Sequence, residues 1–222
     1  IETGTRFVVV SNHTANSIKS FVPGAATLNI PVFYSPSTTT QERPRRARTD
    51  KYFLIVSANR WEKNALRAII ALDRAFSTPV LDGYKAVITG AKSAGMFKYK
   101  LRNPERFEFK GYVEDDELNQ LYHDAYALIY PSLNEGFGYP PLEAMHYGVP
   151  VLASPYTSIP EVCGDAVIYF NPLSVEEIMS RILMITNPAT HADFSARGSE
   201  RYDLITARQK ADLDKLIDFL YD

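Results

Sequence analysis

Two carboxylates, Glu135 and Glu143, stand eight positions apart, with the turn Gly136-Phe137-Gly138 and the pair Pro140-Pro141 between them. Glycine reaches backbone angles that side chains forbid, so Gly136 and Gly138 are expected to let this loop turn tightly and bring bare N–H groups against a ligand. Pro140 or Pro141 suits the first turn of a helix, where a missing N–H costs nothing. Gly148 and Pro150 then close that helix within about two turns. A glycine loop feeding a helix start at the end of a strand is an anion site, because free N–H groups and the positive end of the helix dipole converge there. The stretch Asn134–Met145 is therefore where function is to be sought.

The elements that must position this loop are legible as short apolar runs. Ala127–Tyr130, directly before it, reads as a buried strand, and Tyr52–Ser57, Ala86–Thr89, Phe107–Phe109, Pro150–Ala153 and Val167–Phe170 read likewise. Between them, a helix is predicted from about Lys63 to Phe76 with Leu66, Ile69, Ile70 and Phe76 on one face. Lys92–Leu101 is read as helical. Asp115 or Asp116 would cap a helix carrying Leu118, Leu121, Tyr122 and Ala125, and Ser174–Glu177 forms a capping box for a helix with Ile178, Met179, Ile182 and Leu183. A last amphipathic helix would bury Leu213, Leu216, Ile217 and Leu220. Such alternation predicts an α/β fold, a Rossmann-like parallel sheet flanked by helices. Ligands bind such sheets at the carboxyl ends of the strands, which would gather Ser57–Lys63, Gly90–Lys92, Gly111–Val113 and Glu135–Tyr139 around one crevice.

Phe7–Ser11, Thr14–Phe21 and Ile30–Tyr34 read as a strand, a helix and a strand, too few to bury a sheet of their own. Residues 1–49 are accordingly expected to be the edge of another domain plus a linker. The boundary falls in Pro36–Thr49, where turn residues meet Arg43, Arg45, Arg46 and Arg48. Residues 50–190 would form the Rossmann-like domain and 191–222 a C-terminal helical segment. The first residue, Ile1, suggests a fragment or a processed product.

With 222 residues, 45% hydrophobic and 23% charged, the chain is long enough for one sizeable core. A net charge of −2 gives no global attraction to nucleic acid or to an anionic membrane. The single Cys163 excludes an intramolecular disulfide, and a reducing, cytoplasmic compartment fits best. His13, His123, His146 and His191 lack ligand spacing, so no metal site is expected. Gly90-Ala91-Lys92-Ser93 opens like a phosphate loop but lacks its Gly-Lys-Ser/Thr end, and no dinucleotide fingerprint follows a first strand.

Glu135 and Glu143 resemble the E-x7-E motif of retaining glycosyltransferases with the GT-B fold, family 4. Further segments are similar to that family: Phe109-Lys110-Gly111-Tyr112-Val113 with Glu117-Leu118, Tyr130-Pro131-Ser132-Leu133-Asn134-Glu135, Gly148-Val149-Pro150-Val151 and Ile159-Pro160-Glu161-Val162. The resemblance runs from about Lys51 to Met184 and implies the donor-binding half of a two-domain enzyme. It implies transfer of a hexose or deoxyhexose, with retention, from a nucleotide-diphosphate sugar to a saccharide or lipid-linked acceptor. Bacterial polysaccharide or lipopolysaccharide biosynthesis is the setting, in the cytoplasm and at most peripherally on the inner membrane face. The acceptor would be held mostly by an N-terminal domain, without which the fragment would be inactive.

Residue by residue, the resemblance implies that Glu135 contacts sugar hydroxyls and Glu143 the ribose hydroxyls. The Gly136–Tyr139 loop, through the N–H groups of Phe137, Gly138 and Tyr139, would face the diphosphate. Tyr112 and Val113 would border the base, and Lys63 would neutralise the leaving diphosphate, with no cofactor or metal. Many members carry Gly-Arg directly after the first strand, where this chain has Ser57 and Ala58. Arg60 either reaches the phosphate from a shifted position or is a surface residue. Two other functions stay open: a non-catalytic nucleotide-sugar-binding or interaction module, and a nucleotide-sugar epimerase. Among neighbouring residues, His146 is expected to be exposed, Lys92 to be loop surface, Cys163 to be buried, and Glu161 to cap a short helix near the nucleotide.

Overall fold

The computed structural model describes residues 7–36 and 51–221. In chain order these form α1 (Asn12–Phe21), β1 (Tyr52–Ile55), α2 (Ala65–Ala75), β2 (Lys85–Thr89), β3 (Phe107–Lys110), α3 (Asp115–Asp124), β4 (Ala127–Tyr130), α4 (Tyr139–His146), β5 (Val151–Ala153), α5 (Ile159–Cys163), β6 (Ile168–Tyr169), α6 (Val175–Ile185) and α7 (Pro188–Tyr221). The six strands make one sheet in the order β3-β2-β1-β4-β5-β6, and every pairing is parallel. This confirms the expected Rossmann-like sheet. The order reverses between β1 and β4, where Phe53 pairs Ala86 on one side and Ala127 on the other.

Side chains alternate across the sheet, as the two-residue period of a strand requires. Phe53, Ile55, Ala86, Ile88, Ala127 and Ile129 pack with α2 and α6, whose Ile69, Leu72, Ile178 and Ile182 are fully buried. Leu54, Val56, Val87, Leu128, Tyr130 and Val151 face the other layer, where Leu142 and Met145 of α4 meet Tyr202 and Ile205 of α7. Burying each such Leu or Ile contributes about 1.5–3 kcal/mol, so the two layers clamp the central strands from both sides.

Half of the expected capping box is present: the Ser174 hydroxyl accepts the Glu177 N–H at 3.1 Å, but the Ser174 N–H donates to the Asn171 carbonyl and not to Glu177. Several sequence expectations are corrected. Lys92–Leu101 is not a helix beyond one 3₁₀ turn at Ala94–Phe97. The fully buried carboxylate of Asp73 takes the backbone N–H groups of Arg102 and Asn103 and the Tyr99 hydroxyl, which holds the segment after that turn in an open path. The cap of α3 is Glu114, and Asp115 and Asp116 lie in its first turn, where they complement the helix dipole. The buried stripe of α7 is Gly198, Tyr202, Ile205, Gln209 and Asp212. Leu213, Ile217 and Leu220 are exposed, because the face toward the domain ends in polar groups that bind the N-terminal segment.

In that segment Val9 and Val32 form a single parallel bridge on either side of α1, not two strands. A small cluster of Val9, Ala15 and Ile30 holds it together. It is tied to α7 by the Tyr34 N–H on Asp212 at 3.0 Å and the Gln209 amide on the Ser35 carbonyl at 2.6 Å. The arginines at 43, 45, 46 and 48, and the expected linker apart from Pro36, lie outside the described residues.

Candidate active site

The chain leaves β1 and β4 side by side at the point where the strand order reverses, and connections to either side of it splay apart to leave a crevice. After β1, Ser57 takes a left-handed φ of 56° and its N–H donates to the Thr89 hydroxyl at 3.2 Å, while Ala58 N–H donates to the Thr89 carbonyl at 2.9 Å. The loop then winds into a 3₁₀ turn, Trp61–Lys63, and ends at Asn64, also left-handed at φ 54°. The Asn64 amide donates to the carbonyls of Pro131 and Pro172 at 3.1 and 2.8 Å. These bonds tie the β1 loop to the β4 loop and turn Lys63 inward, where it is only 6% exposed.

After β4, the Glu135 N–H donates to the Thr157 hydroxyl at 3.0 Å and the Ser158 hydroxyl donates to the Glu135 carbonyl at 2.9 Å. The side chain of Glu135 meets Lys63 there, Nζ to Oε1 at 2.7 Å. The Tyr130 and Ser132 hydroxyls donate to the same oxygen, each at 2.5 Å. Lys63 also donates to the Tyr130 hydroxyl at 2.9 Å. Burial, reinforced by the Glu135 carboxylate, pushes the Tyr130 phenol far above its ordinary pKa, so it remains a donor.

Of the two loop glycines, only Gly138 needs to be glycine. Its φ is 116°, and a Cβ there would sit 3.2 Å from Ile159 Cδ1. Gly136 has no positive φ, and a Cβ there would meet open space, which corrects the expectation for that residue. Gly138 caps α4, whose first turn holds Pro140 and Pro141 as expected. Among the described residues no acceptor faces the N–H groups of Phe137, Gly138 or Tyr139. On α4, burial raises the Glu143 carboxyl above its ordinary pKa, against a hydrogen bond from the buried Tyr122.

Lys63, Glu135, Glu143 and the Gly136–Tyr139 loop line one cleft of about 480 Å³. Arg60 reaches its rim, but its side chain is 61% exposed and pairs with Glu62 at 2.6 Å. A second hollow of about 330 Å³ shares Ser57, Thr89 and Leu118 with the cleft and is lined by Gly90, Gly111, Tyr112 and Val113. There Tyr112 is 84% exposed. A larger hollow, about 650 Å³, is lined by Lys51, Lys85, Glu108, Lys110, Glu117 and Asp124 and holds none of the residues to which the sequence assigns a catalytic or donor-binding role. Among the described residues no three His, Cys, Asp or Glu side chains gather in a metal-binding group.

Sequence reasoning missed the partners that hold the two carboxylates. The local sequence assigns no role to Tyr130 or Ser132, and Tyr122 reads only as part of an apolar helix face. Glu161 does not point to the crevice. It accepts the Asn12 N–H and side-chain amide, the His13 N–H and the Tyr34 hydroxyl, between 2.7 and 3.2 Å, and so ties down the start of α1. Burial alone would raise its pKa, but these donors prevail and lower it. His146 is buried, not exposed, with its ring centroid 4.7 Å from Tyr147 and 4.8 Å from Tyr202. Lys92 is exposed and Cys163 fully buried, as expected. Burial pushes the Cys163 thiol up to about 12.

Known proteins share this architecture. Residues 37–201 match the family described as Glycosyl transferases group 1. The O-antigen chain mannosyltransferase B of Escherichia coli is 51% identical over 75 residues, 34% of this chain and 20% of that protein. The O-antigen chain mannosyltransferase RfbU of Salmonella typhimurium is 29% identical over 180 residues, 74% of this chain and 49% of that protein. A variant of TarM from S. aureus, crystallised with Fondaparinux, alpha-GlcNAc-glycerol and UDP, superimposes with a TM-score of 0.79 at 18% identity, covering 96% of this chain and 43% of its own. This chain spans less than half the length of each of the three. The family match extends through the whole six-stranded sheet and both loops of the crevice, and the chain belongs to the glycosyl transferases group 1 as a GT-B, family 4-type glycosyltransferase domain.

Proposed function

We propose that the cleft between the β1 and β4 loops binds a nucleotide-diphosphate sugar and that the chain is the donor half of a retaining glycosyltransferase. The observation that carries this reading is the meeting of Lys63 with Glu135 beside three backbone N–H groups at the start of α4 that have no acceptor among the described residues. An ammonium group has three protons to donate. Two of those on Lys63 are taken by Glu135 and Tyr130, which leaves the third for a phosphate oxygen. Breaking the anomeric C–O bond adds negative charge to the departing diphosphate, so fixed donors at that oxygen stabilise the transition state more than the ground state. Positive charge from Lys63 and the helix start calls for no metal ion, and turnover should survive EDTA.

Glu135 would accept a hydroxyl of the donor sugar and Glu143 the ribose hydroxyls, with Tyr112 and Val113 beside the base. The curated relatives are named as mannosyltransferases of O-antigen chains, which favours mannose as the sugar and a bacterial polysaccharide or lipid-linked chain as the acceptor. The enzyme would work in the cytoplasm, its acceptor held mainly by residues beyond this chain. Calorimetric titration with UDP, GDP, ADP, dTDP and GDP-mannose tests the reading. Binding of one diphosphate, weakened by Glu143→Ala, is expected, and no binding to any of them with the fold intact would overturn it. A second reading, a non-catalytic nucleotide-sugar-binding module, is favoured by Arg60 pairing with Glu62 instead of filling the place of the usual arginine. Turnover by a longer protein carrying the acceptor-binding residues would reject it.

A further inference from the structure

Glu135 is held in an unusual way for a residue that must meet a ligand. Three donors, Lys63 Nζ at 2.7 Å and the hydroxyls of Tyr130 and Ser132 at 2.5 Å each, all converge on Oε1. A carboxylate oxygen offers about two lone-pair sites, so this one has no capacity left. Among the described residues Oε2 has no protein partner, although the side chain lines the cleft and is only 12% exposed. Ser132 is 1% exposed and its hydroxyl has a single proton. Two carbonyls, of Glu62 at 3.2 Å and Asn134 at 3.5 Å, are also in reach, but the shortest contact is to Glu135. Tyr130 is likewise 1% exposed, its ring packed in the core and its hydroxyl spent on the same oxygen.

We infer that Tyr130 and Ser132 are positioning residues that lock Glu135 in one rotamer, so that only Oε2 is presented to the donor sugar. This rests on the reading of the cleft as a nucleotide-sugar site. A carboxylate without the lock could rotate and offer either oxygen, and its contact with a sugar hydroxyl would lose the preorganised geometry on which such bonds depend. Ser132 touches Glu135 alone among the site carboxylates, whereas Tyr130 also accepts a hydrogen bond from Lys63. The two residues should therefore leave different signatures. Loss of the Ser132 hydroxyl affects recognition of the sugar, and loss of the Tyr130 hydroxyl affects the diphosphate as well.

The test is calorimetry on the 222-residue chain with GDP and GDP-mannose, and with UDP and UDP-glucose. Ser132→Ala is expected to leave affinity for the nucleoside diphosphate within about two-fold, while the ratio of nucleotide-sugar Kd to nucleoside-diphosphate Kd rises about ten-fold, the scale of one hydrogen bond to a charged group. Tyr130→Phe, which keeps the buried ring, should raise that ratio and weaken the diphosphate too. In a Glu135→Gln background Ser132→Ala should add nothing, since a residue acting through another loses its effect when that partner is changed. An unchanged ratio in folded Ser132→Ala, an equal loss for both ligands, or full additivity with Glu135→Gln would overturn the lock. If the parent chain binds none of the four ligands, the nucleotide-sugar reading itself fails and the lock with it.

Discussion

The 650 Å³ hollow beside β2 and β3 and the 480 Å³ cleft between the ends of β1 and β4 both present lysines and carboxylates, yet they differ in what surrounds those charges. In the larger hollow Lys110 is shared between Glu108 and Glu117, whose side chains are 57% and 48% exposed. Water screens such pairs, and their net worth is small. In the cleft the side chains of Lys63 and Glu135 are 7% and 12% exposed, and each is fixed by further hydrogen bonds. Charge in so dry and rigid a place acts strongly on a ligand, because little water competes and nothing must reorganise. Cavity volume thus points away from the candidate chemistry, and burial of paired charge points toward it.

The sharpest way to break this contrast is to remove Lys63. Lys63→Ala is expected to lower turnover of a longer, acceptor-binding protein about a hundred- to a thousand-fold, measured as sugar transfer at saturating donor. Stranding Glu135 without its partner should also destabilise the chain by about 3–5 kcal/mol, read by urea unfolding; an unchanged midpoint would mean that the pair is no tighter than those at the edge of the sheet.

Glu143 offers a pH test. Its pKa is raised by burial, so the folded state binds the proton more tightly than the unfolded one. Stability should then fall as pH rises from the ordinary carboxyl range to the raised value, and level off above it. Glu143→Gln should remove that slope in urea titrations taken across pH. Nucleoside diphosphate affinity should move the other way, rising as Glu143 ionises and becomes a pure acceptor for ribose hydroxyls.

Next in size is the glycine comparison. Gly138→Ala, at φ 116° with Ile159 3.2 Å from the added carbon, should cost about 1–3 kcal/mol. Gly136→Ala, facing open space, should stay within about 0.5 kcal/mol. Thermal melting of both variants checks this, and equal losses would show that the loop is not held by Gly138 alone. The smallest effect is expected in the larger hollow. Lys110→Ala should change stability by about 1 kcal/mol or less and leave nucleotide binding untouched; a lost affinity there would relocate the site.

Much of the fold was readable because the strands are short, apolar and regularly separated by helical periodicity. Readability failed where a distant group decides local structure. Lys92–Leu101 has helix-compatible residues, but Asp73, far away in sequence, takes the backbone donors that follow. The last helix has a good apolar stripe at Leu213, Ile217 and Leu220, but the N-terminal segment meets the helix elsewhere, where its backbone binds Gln209 and Asp212 and Phe33 packs against Phe219. Glu161 sits in a segment that resembles the family, yet the start of α1 reaches it before any ligand could.

From the sequence alone came the parallel α/β sheet, the loop with its two glutamates, the proline-led start of α4 and the candidate cation at Lys63. The sheet, the loop and the helix start depend on neighbours within a few residues, through periodicity, backbone freedom or the missing N–H of proline, whereas Lys63 is singled out by the resemblance to the family. What only the tertiary structure decided is that Lys63 meets Glu135 across 72 residues, and that Tyr130 and Ser132 close on the same oxygen. That meeting exists because β1 and β4 are neighbours at the reversal of strand order. Strand order is set by the summed burial of both sheet faces, a property of the whole chain that no local stretch of it encodes.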